Sequence, residues 1–306
     1  MSDTPLPRRR FLATAAASVA GASLGVAALP HLARAVAARP DAGASDAPDT
    51  VDSAATALRL GIASYSLRKF SLEKALEMAK ALRTPYINFK SVHIPYEKSP
   101  QELAAIRKQI EDAGFQIVGG GTIDFNKDTD EDVGRLFAYA KAAGMPTIVC
   151  TCMPPVVPRL EKFAKQYDIK VAIHNHGPED KHFPSPYDVL AAVKSMDPRM
   201  GLCIDIGHTV RTGTDVVKSI LDAGPRVLDM HVKDLKDLKA RDSQCIVGEG
   251  AMPIAEIFRA LERVRFGGFV NLEYEIDADD PLPGMKQSFA YMRGVLAGFS
   301  AGARAN

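Results

Sequence analysis

The feature of this 306-residue chain that most restricts its fold is an alternation, repeated eight times, of a short apolar run with an amphipathic stretch. The apolar runs fall at 59–65, 86–91, 115–121, 146–152, 170–176, 200–206, 227–233 and 268–274. They are rich in Val and Ile and bounded by Gly, Pro or charge, which is how β-strands read. Helical spacing lies between them: Leu72, Ala75, Leu76, Ala79 and Leu82 recur at i, i+3, i+4 and i+7, as do Val133, Leu136, Phe137 and Ala140, and Ile254, Ile257, Phe258 and Leu261. Ser71 and Ser99 are placed to cap helices, with Pro100 at the first helical position, and Gly114 and Gly144 sit where helices end on a left-handed residue. Eight βα units over roughly 240 residues make an α/β fold, most simply a closed (β/α)8 TIM barrel forming a single domain. An open doubly wound sheet would need a Gly-rich phosphate turn, and Gly119-Gly120-Gly121 lacks the G-x-G-x-x-G spacing.

A barrel enzyme carries its chemistry at the C-terminal ends of its strands, and polar side chains concentrate there. The fifth run ends His174-Asn175-His176, the sixth Asp205-Ile206-Gly207-His208, the seventh His231-Val232-Lys233-Asp234 and the eighth Glu273-Tyr274-Glu275. The second ends at Lys90, with His93 three residues on. Residues i and i+2 share a strand face, so His174 goes with Ala172, Asp205 with Cys203 and Glu273 with Asn271, while Ile173, Ile204 and Leu272 face the helices. Two imidazoles and two carboxylates converging from adjacent strands, His174, Asp205, His231 and Glu273, form a site for one divalent ion. That donor mix suits Mn, Co, Fe or Zn better than Mg or Ca. The alternative is a set of structural ion pairs, such as Asp205 with Lys233. Cys150 and Cys152, two apart on one strand, are expected to be free thiols.

The first 37 residues differ from the rest. Arg8-Arg9-Arg10-Phe11-Leu12 leads into a weakly hydrophobic, Ala-rich run to Leu29, and Ala33-Arg34-Ala35 and Ala35-Val36-Ala37 are small-x-small cleavage candidates. The Arg-Arg-x-Phe-Leu pattern resembles a twin-arginine export signal. The expected organisation is a signal peptide at 1–37, a linker at 38–57, a barrel at 58–300 and a short tail at 301–306. The expected location is the periplasm, reached through the twin-arginine translocase, with no stable membrane span after cleavage. The formal charge of the whole chain is +1, from 38 basic and 37 acidic residues, and removing the signal's four arginines and one aspartate leaves −2. Such a balance offers no basic field for nucleic acid.

The A-I-x-N-H-G run of 172–177, the D-x-G-H of Asp205 to His208, the H-V-K-D of His231 to Asp234 and the N-L-E-Y-E of 271–275 resemble the xylose isomerase-like sugar isomerase/epimerase superfamily, over residues 59–298. The resemblance implies one divalent ion held by a Glu, an Asp, a His and a second Glu. Asp205, His231 and Glu273 match three of these positions, and His174 stands where the family has its first glutamate. In such epimerases the two glutamates act as acid and base on opposite faces of a sugar. A metal-bound imidazole is a poor base, so the symmetric reaction is not expected here. The resemblance implies proton abstraction α to the carbonyl of a sugar or keto-sugar, and among exported relatives a 3-keto-glycoside lyase that removes the C2 proton and expels the C1 substituent. The catalytic candidates are Glu273, His176, Lys233 and His208, with Glu273, His176 or Lys233 as base. The substrate-contact candidates are Lys90, His93, His176, His208, Lys233 and Glu275. Two other functions share this barrel: a metal-dependent DNA-repair endonuclease, against which charge and export signal argue, and a non-catalytic sugar-binding module.

Overall fold

The computed structural model describes residues 58–304; the signal peptide and linker read at 1–57 lie outside the described residues. The strands are β1 Arg59–Ala63, β2 Tyr86–Phe89, β3 Gln116–Phe125, β4 Thr147–Cys152, β5 Lys170–His174, β6 Met200–Asp205, β7 Val227–Val232, β8 Asp234–Leu235, β9 Gln244–Cys245 and β10 Phe269–Leu272. The helices are α1 Leu72–Lys80, α2 Pro100–Asp112, α3 Asp130–Ala142, α4 Val157–Tyr167, α5 Pro186–Val193, α6 Ile206–Arg211, α7 Val216–Ala223, α8 Ile254–Arg263 and α9 Leu282–Arg304. Strands β1 to β7 run in sequence around a closed parallel barrel, and β10 closes it between β7 and β1. This is the expected (β/α)8 architecture.

Local chemistry accounts for the punctuation. Ser71 Oγ accepts from the Lys74 amide at the start of α1. Ser99 and Glu102 form a reciprocal capping box with Pro100 at the first turn of α2, an arrangement worth ~1 kcal/mol per cap. Gly114 and Gly144 follow α2 and α3 with φ of +87° and +74°, a conformation that disfavours residues with a Cβ.

Strand parity sorts the side chains as the sequence pattern requires. Ile173, Ile204 and Leu272 join the main apolar core beneath the helices, whereas Val149, Ala172 and Cys203 form a separate small cluster. The opposite parity also carries a buried polar layer. Asn88 and Asn271 donate to the two carboxylate oxygens of Asp229, at 3.0 and 2.8 Å. Gly61 and Gly119 leave the space this layer occupies: a Cβ would lie 2.3 Å from Asn271 Oδ1 at the first and 2.9 Å from Asn88 Nδ2 at the second.

Two elements depart from the sequence reading. A two-stranded antiparallel ribbon, β8 with β9, follows the seventh barrel strand; two-residue strands carry too little periodicity to be legible. Helix α9 runs through the expected tail boundary at residue 300 to Arg304, because an Ala/Gly-rich end (Ala297 to Arg304) can continue a helix that packing has already started. No helix among the described residues is long and apolar enough to cross a membrane.

Candidate metal centre

The ends of β5, β6, β7 and β10 lie side by side, with His174 paired to Cys203, Asp205 to His231, and Asn271 to His231 in register. Glu273 follows β10 directly, and its amide extends the ladder by donating to Val232 O at 2.9 Å. The four expected ligand residues are thereby brought together: each of His174, Asp205, His231 and Glu273 offers one ligand atom, and all four lie within 4.8 Å of one another. His174 Nε2 stands 3.1 Å from His231 Nδ1 and 3.7 Å from Asp205 Oδ2, and His231 Nδ1 is 3.3 Å from Glu273 Oε2.

A fifth group stands among them. Lys233, fully buried at the end of β7, places its Nζ 3.1 Å from Asp205 Oδ2 and 2.9 Å from Glu273 Oε2, and donates to Glu275 as well. The ion pair weighed above as a structural alternative is therefore present alongside the ligand cluster.

Electrostatics fix most protonation states. Burial pushes His174 well below the usual imidazole range, helped by the neighbouring His176, so one ring nitrogen keeps a free lone pair. Burial opposes charge on His231 as well, but the adjacent Cys203 sulfur and Glu273 carboxylate outweigh it and raise His231. For Asp205 and Glu273 burial favours the neutral acid, yet Lys233, with His208 and His174 beside Asp205 and His231 beside Glu273, holds both well below the usual carboxylate range. Lys233 is raised: the carboxylates of Asp205, Glu273 and Glu275 overcome the cost of burying its ammonium.

This donor set fits a divalent ion. Three carboxylates, Asp205, Glu273 and Glu275, against the Lys233 ammonium leave the cluster net negative even with His231 charged. Asp205 Oδ2 is completely buried and makes no hydrogen bond, only ion-pair contacts. A buried carboxylate oxygen without a hydrogen bond is under-satisfied, and a divalent cation would complete its shell.

Neighbouring groups hold the ligands in place. Asp205 is the N-cap of α6, its Oδ1 accepting from the His208 amide at 2.8 Å. Asn175 Oδ1 accepts from the Asp205 amide at 3.1 Å while its Nδ2 donates to Thr209 Oγ1 at 3.0 Å. Gln244, on the β8–β9 ribbon, donates to Glu273 O at 2.6 Å and accepts from the Glu275 amide at 2.9 Å. Asp234 accepts from the amides of Leu235, Gly248, Gly250 and Met252 at 2.9–3.1 Å and so pins the connection that carries Gln244. None of Asn175, Thr209, Gln244 or Asp234 was singled out from sequence as a support of this site, because each acts through a partner distant in the chain.

A cavity of about 340 Å³ opens beside the cluster, lined by His176, Glu179, Asp180, His208 and Arg241. The His176 ring lies 4.3 Å from that of His174 and 5.3 Å from that of His208, centre to centre. Burial and the proximity of His208 lower His176, and its Nδ1 is 3.8 Å from Asp180 Oδ2. The other substrate-contact candidates divide. Glu275 joins the cluster through Lys233. Lys90 donates to Thr122 Oγ1 at 2.8 Å and lies over the Tyr65 ring, on the β1–β3 side of the barrel. His93 is not brought to the ligand cluster: it is buried with its Nδ1 3.0 Å from Ser64 Oγ and its ring edge-on to Phe89. A turn after β2 carries it toward the β1–α1 connection, which its distance from the strand end in sequence does not reveal. Cys150, Cys152, Cys203 and Cys245 are all free thiols and buried.

A family model described as "Xylose isomerase-like TIM barrel" matches residues 87–295, more than half of the chain. Among solved structures, the chain is similar to an uncharacterized protein from Parabacteroides distasonis ATCC 8503, at 26% identity and TM-score 0.62, over 78% of this chain and 98% of that one. It is also similar to the IolI protein with a bound zinc atom, at 16% identity and TM-score 0.67 over 78% and 98%, and to D-psicose 3-epimerase in the presence of D-fructose, at 20% identity and TM-score 0.61 over 78% and 99%. These last two likenesses are of fold. No curated protein sequence matches. With the barrel closed and the family model spanning most of it, the chain belongs to the xylose isomerase-like TIM barrel family.

Proposed function

We propose that this protein is an exported, divalent-metal-dependent enzyme that removes the proton α to a sugar carbonyl, acting on a 3-keto-glycoside as a lyase. The observation that carries the reading is the convergence of His174, Asp205, His231 and Glu273 at the barrel mouth beside a cavity of substrate size. An ion of the Mn, Co, Fe or Zn type held by these four would polarise the carbonyl and its neighbouring hydroxyl and so acidify the C–H between them.

The choice of base follows from the charges. Lys233 is held as an ammonium by three carboxylates and has no lone pair to offer. Glu273 is a weakened base, engaged by Lys233 and His231. His176 is the remaining candidate: a neutral imidazole, its side chain 34% exposed, lining the cavity and backed by Asp180. In the proposed step His176 takes the C2 proton, the C2–H electrons form the C1–C2 double bond, the C1–O bond breaks, and the leaving oxygen receives the proton from His176. Lys233 supplies fixed positive charge for the oxygen on which negative charge develops. His174, in place of a glutamate, offers no second carboxylate base, which favours this one-sided elimination over epimerisation.

The test is NMR of a 3-keto-glycoside in D2O with protein loaded with Mn2+ or Zn2+. Loss of the C1 group supports the lyase. Deuterium at C2 without cleavage would replace it with an epimerase or isomerase, and no exchange with any keto-sugar, metal present, would refute proton abstraction. His176→Gln is expected to lower the rate by about 10²–10⁴, the range for a lost general base.

A further inference from the structure

His208 faces the same cavity, and the direction of one hydrogen bond determines what it can do there. Its Nδ1 lies 3.2 Å from Arg211 Nη1. A guanidinium carries only donors and stays charged, so Nδ1 must present its lone pair. Nη2 of the same arginine donates to Glu179, and the Arg211 side chain is only 6% exposed. The backbone of His208 is fixed from the other side by Asp205 Oδ1. Gly177 makes this pairing possible: at φ +80°, a Cβ there would lie 3.1 Å from His208 Nδ1 and 3.3 Å from Arg211 Nη1.

We infer that Arg211 is a positioning residue that, by donating to Nδ1, directs the His208 ring proton to Nε2, making His208 a hydrogen-bond donor to a sugar oxygen. No group among the described residues hydrogen-bonds Nε2, the nitrogen left for a ligand. The pairing also orders the cavity wall, because Glu179, which Arg211 holds, lines the same space as His176, Asp180 and Arg241. The assignment of Nε2–H to a sugar oxygen rests on the function proposed above; the tautomer itself does not.

The experiment is ¹⁵N NMR of the full chain, metal-free and with ¹⁵N-labelled histidine, with the His208 signals identified by their loss in His208→Gln. The expected result is protonated Nε2 and unprotonated Nδ1 in the parent protein and in Glu179→Gln, where Arg211 still donates. In Arg211→Met the Nε2–H population should fall toward that of an unconstrained imidazole, with Nδ1–H becoming detectable, and keto-glycoside turnover should fall by roughly 10- to 100-fold, the range for groups that orient catalytic residues. Should Arg211→Met fail to fold, Arg211→Gln serves in its place, and the parent spectrum still decides. A parent His208 protonated on Nδ1, or an unchanged Nε2–H tautomer in the arginine variant, would overturn the inference. Failure of every sugar to react would count against the proposed function and leave the tautomer measurement standing.

Discussion

Replacing Lys233 by Met tests whether the buried charge cluster is balanced as described. The ammonium sits 3.1 Å from Asp205 Oδ2 and 2.9 Å from Glu273 Oε2. At an effective dielectric near 20, each contact is worth ~5 kcal/mol of attraction. Against that stands the desolvation of a buried ammonium, several kcal/mol, which methionine does not incur. The net loss expected for breaking a buried pair from one side is ~3–5 kcal/mol. For a barrel of this length that corresponds to roughly 6–20 °C in the unfolding temperature. The loss should depend on pH in a defined sense. Asp205 and Glu273 are depressed in the folded state below their ordinary values of 3.8 and 4.5. The stability they contribute is present above those values and lost as pH falls below them. The gap between parent and variant should therefore be full at pH 7 and close in acid. A divalent ion should raise the melting temperature of the variant more than that of the parent, because the variant cluster carries a further unbalanced negative charge. The assay is thermal unfolding by circular dichroism, metal-free and with Mn2+ or Zn2+, from pH 7 down to pH 3. A metal-free Lys233→Met protein that unfolds at the parental temperature at pH 7 would refute the electrostatic account.

Three further outcomes are expected. Asp229→Ala leaves the amides of Asn88 and Asn271 without acceptors inside the barrel, at ~1–3 kcal/mol each, read as a lower urea midpoint with an unchanged slope. Asp234→Ala removes the acceptor for four backbone amides, so trypsin should cut at Lys236, Lys239 or Arg241 in the variant well before it cuts the parent. The cysteines are buried, and burial pushes Cys203 up to about 12 and Cys245 up to about 11, so iodoacetamide at pH 8 should label none of the four in the folded barrel and all of them once urea unfolds it, as counted by mass spectrometry.

Much of the site was legible because a parallel barrel turns sequence position into spatial position. Once β5, β6, β7 and β10 are recognised, their last residues must share one rim, and parity says which of them face inward. By that logic His174, Asp205, His231, Glu273 and Lys233 belong to one rim from sequence alone. It did not give the setting of His93, because a residue beyond a strand end follows its own turn, here into the pocket beside Ser64. It was silent on Gln244 and Asp234, because their partners lie in a long connection whose path no periodicity encodes.

The sequence by itself determined the number and order of the βα units, their caps, and the rim to which the chemistry belongs, since these depend on periodicity and local propensity. Only the tertiary structure decided the state of the groups on that rim. That Lys233 is held as an ammonium, that His176 is pushed toward its neutral form, that Arg211 meets His208 at Nδ1 and that Asp229 is held by two amides all depend on burial and on groups a few ångströms away. Such neighbours come from strands up to about 140 residues apart, as Asn88 and Asp229 do, and desolvation and Coulomb energy act through space, where sequence separation has no bearing.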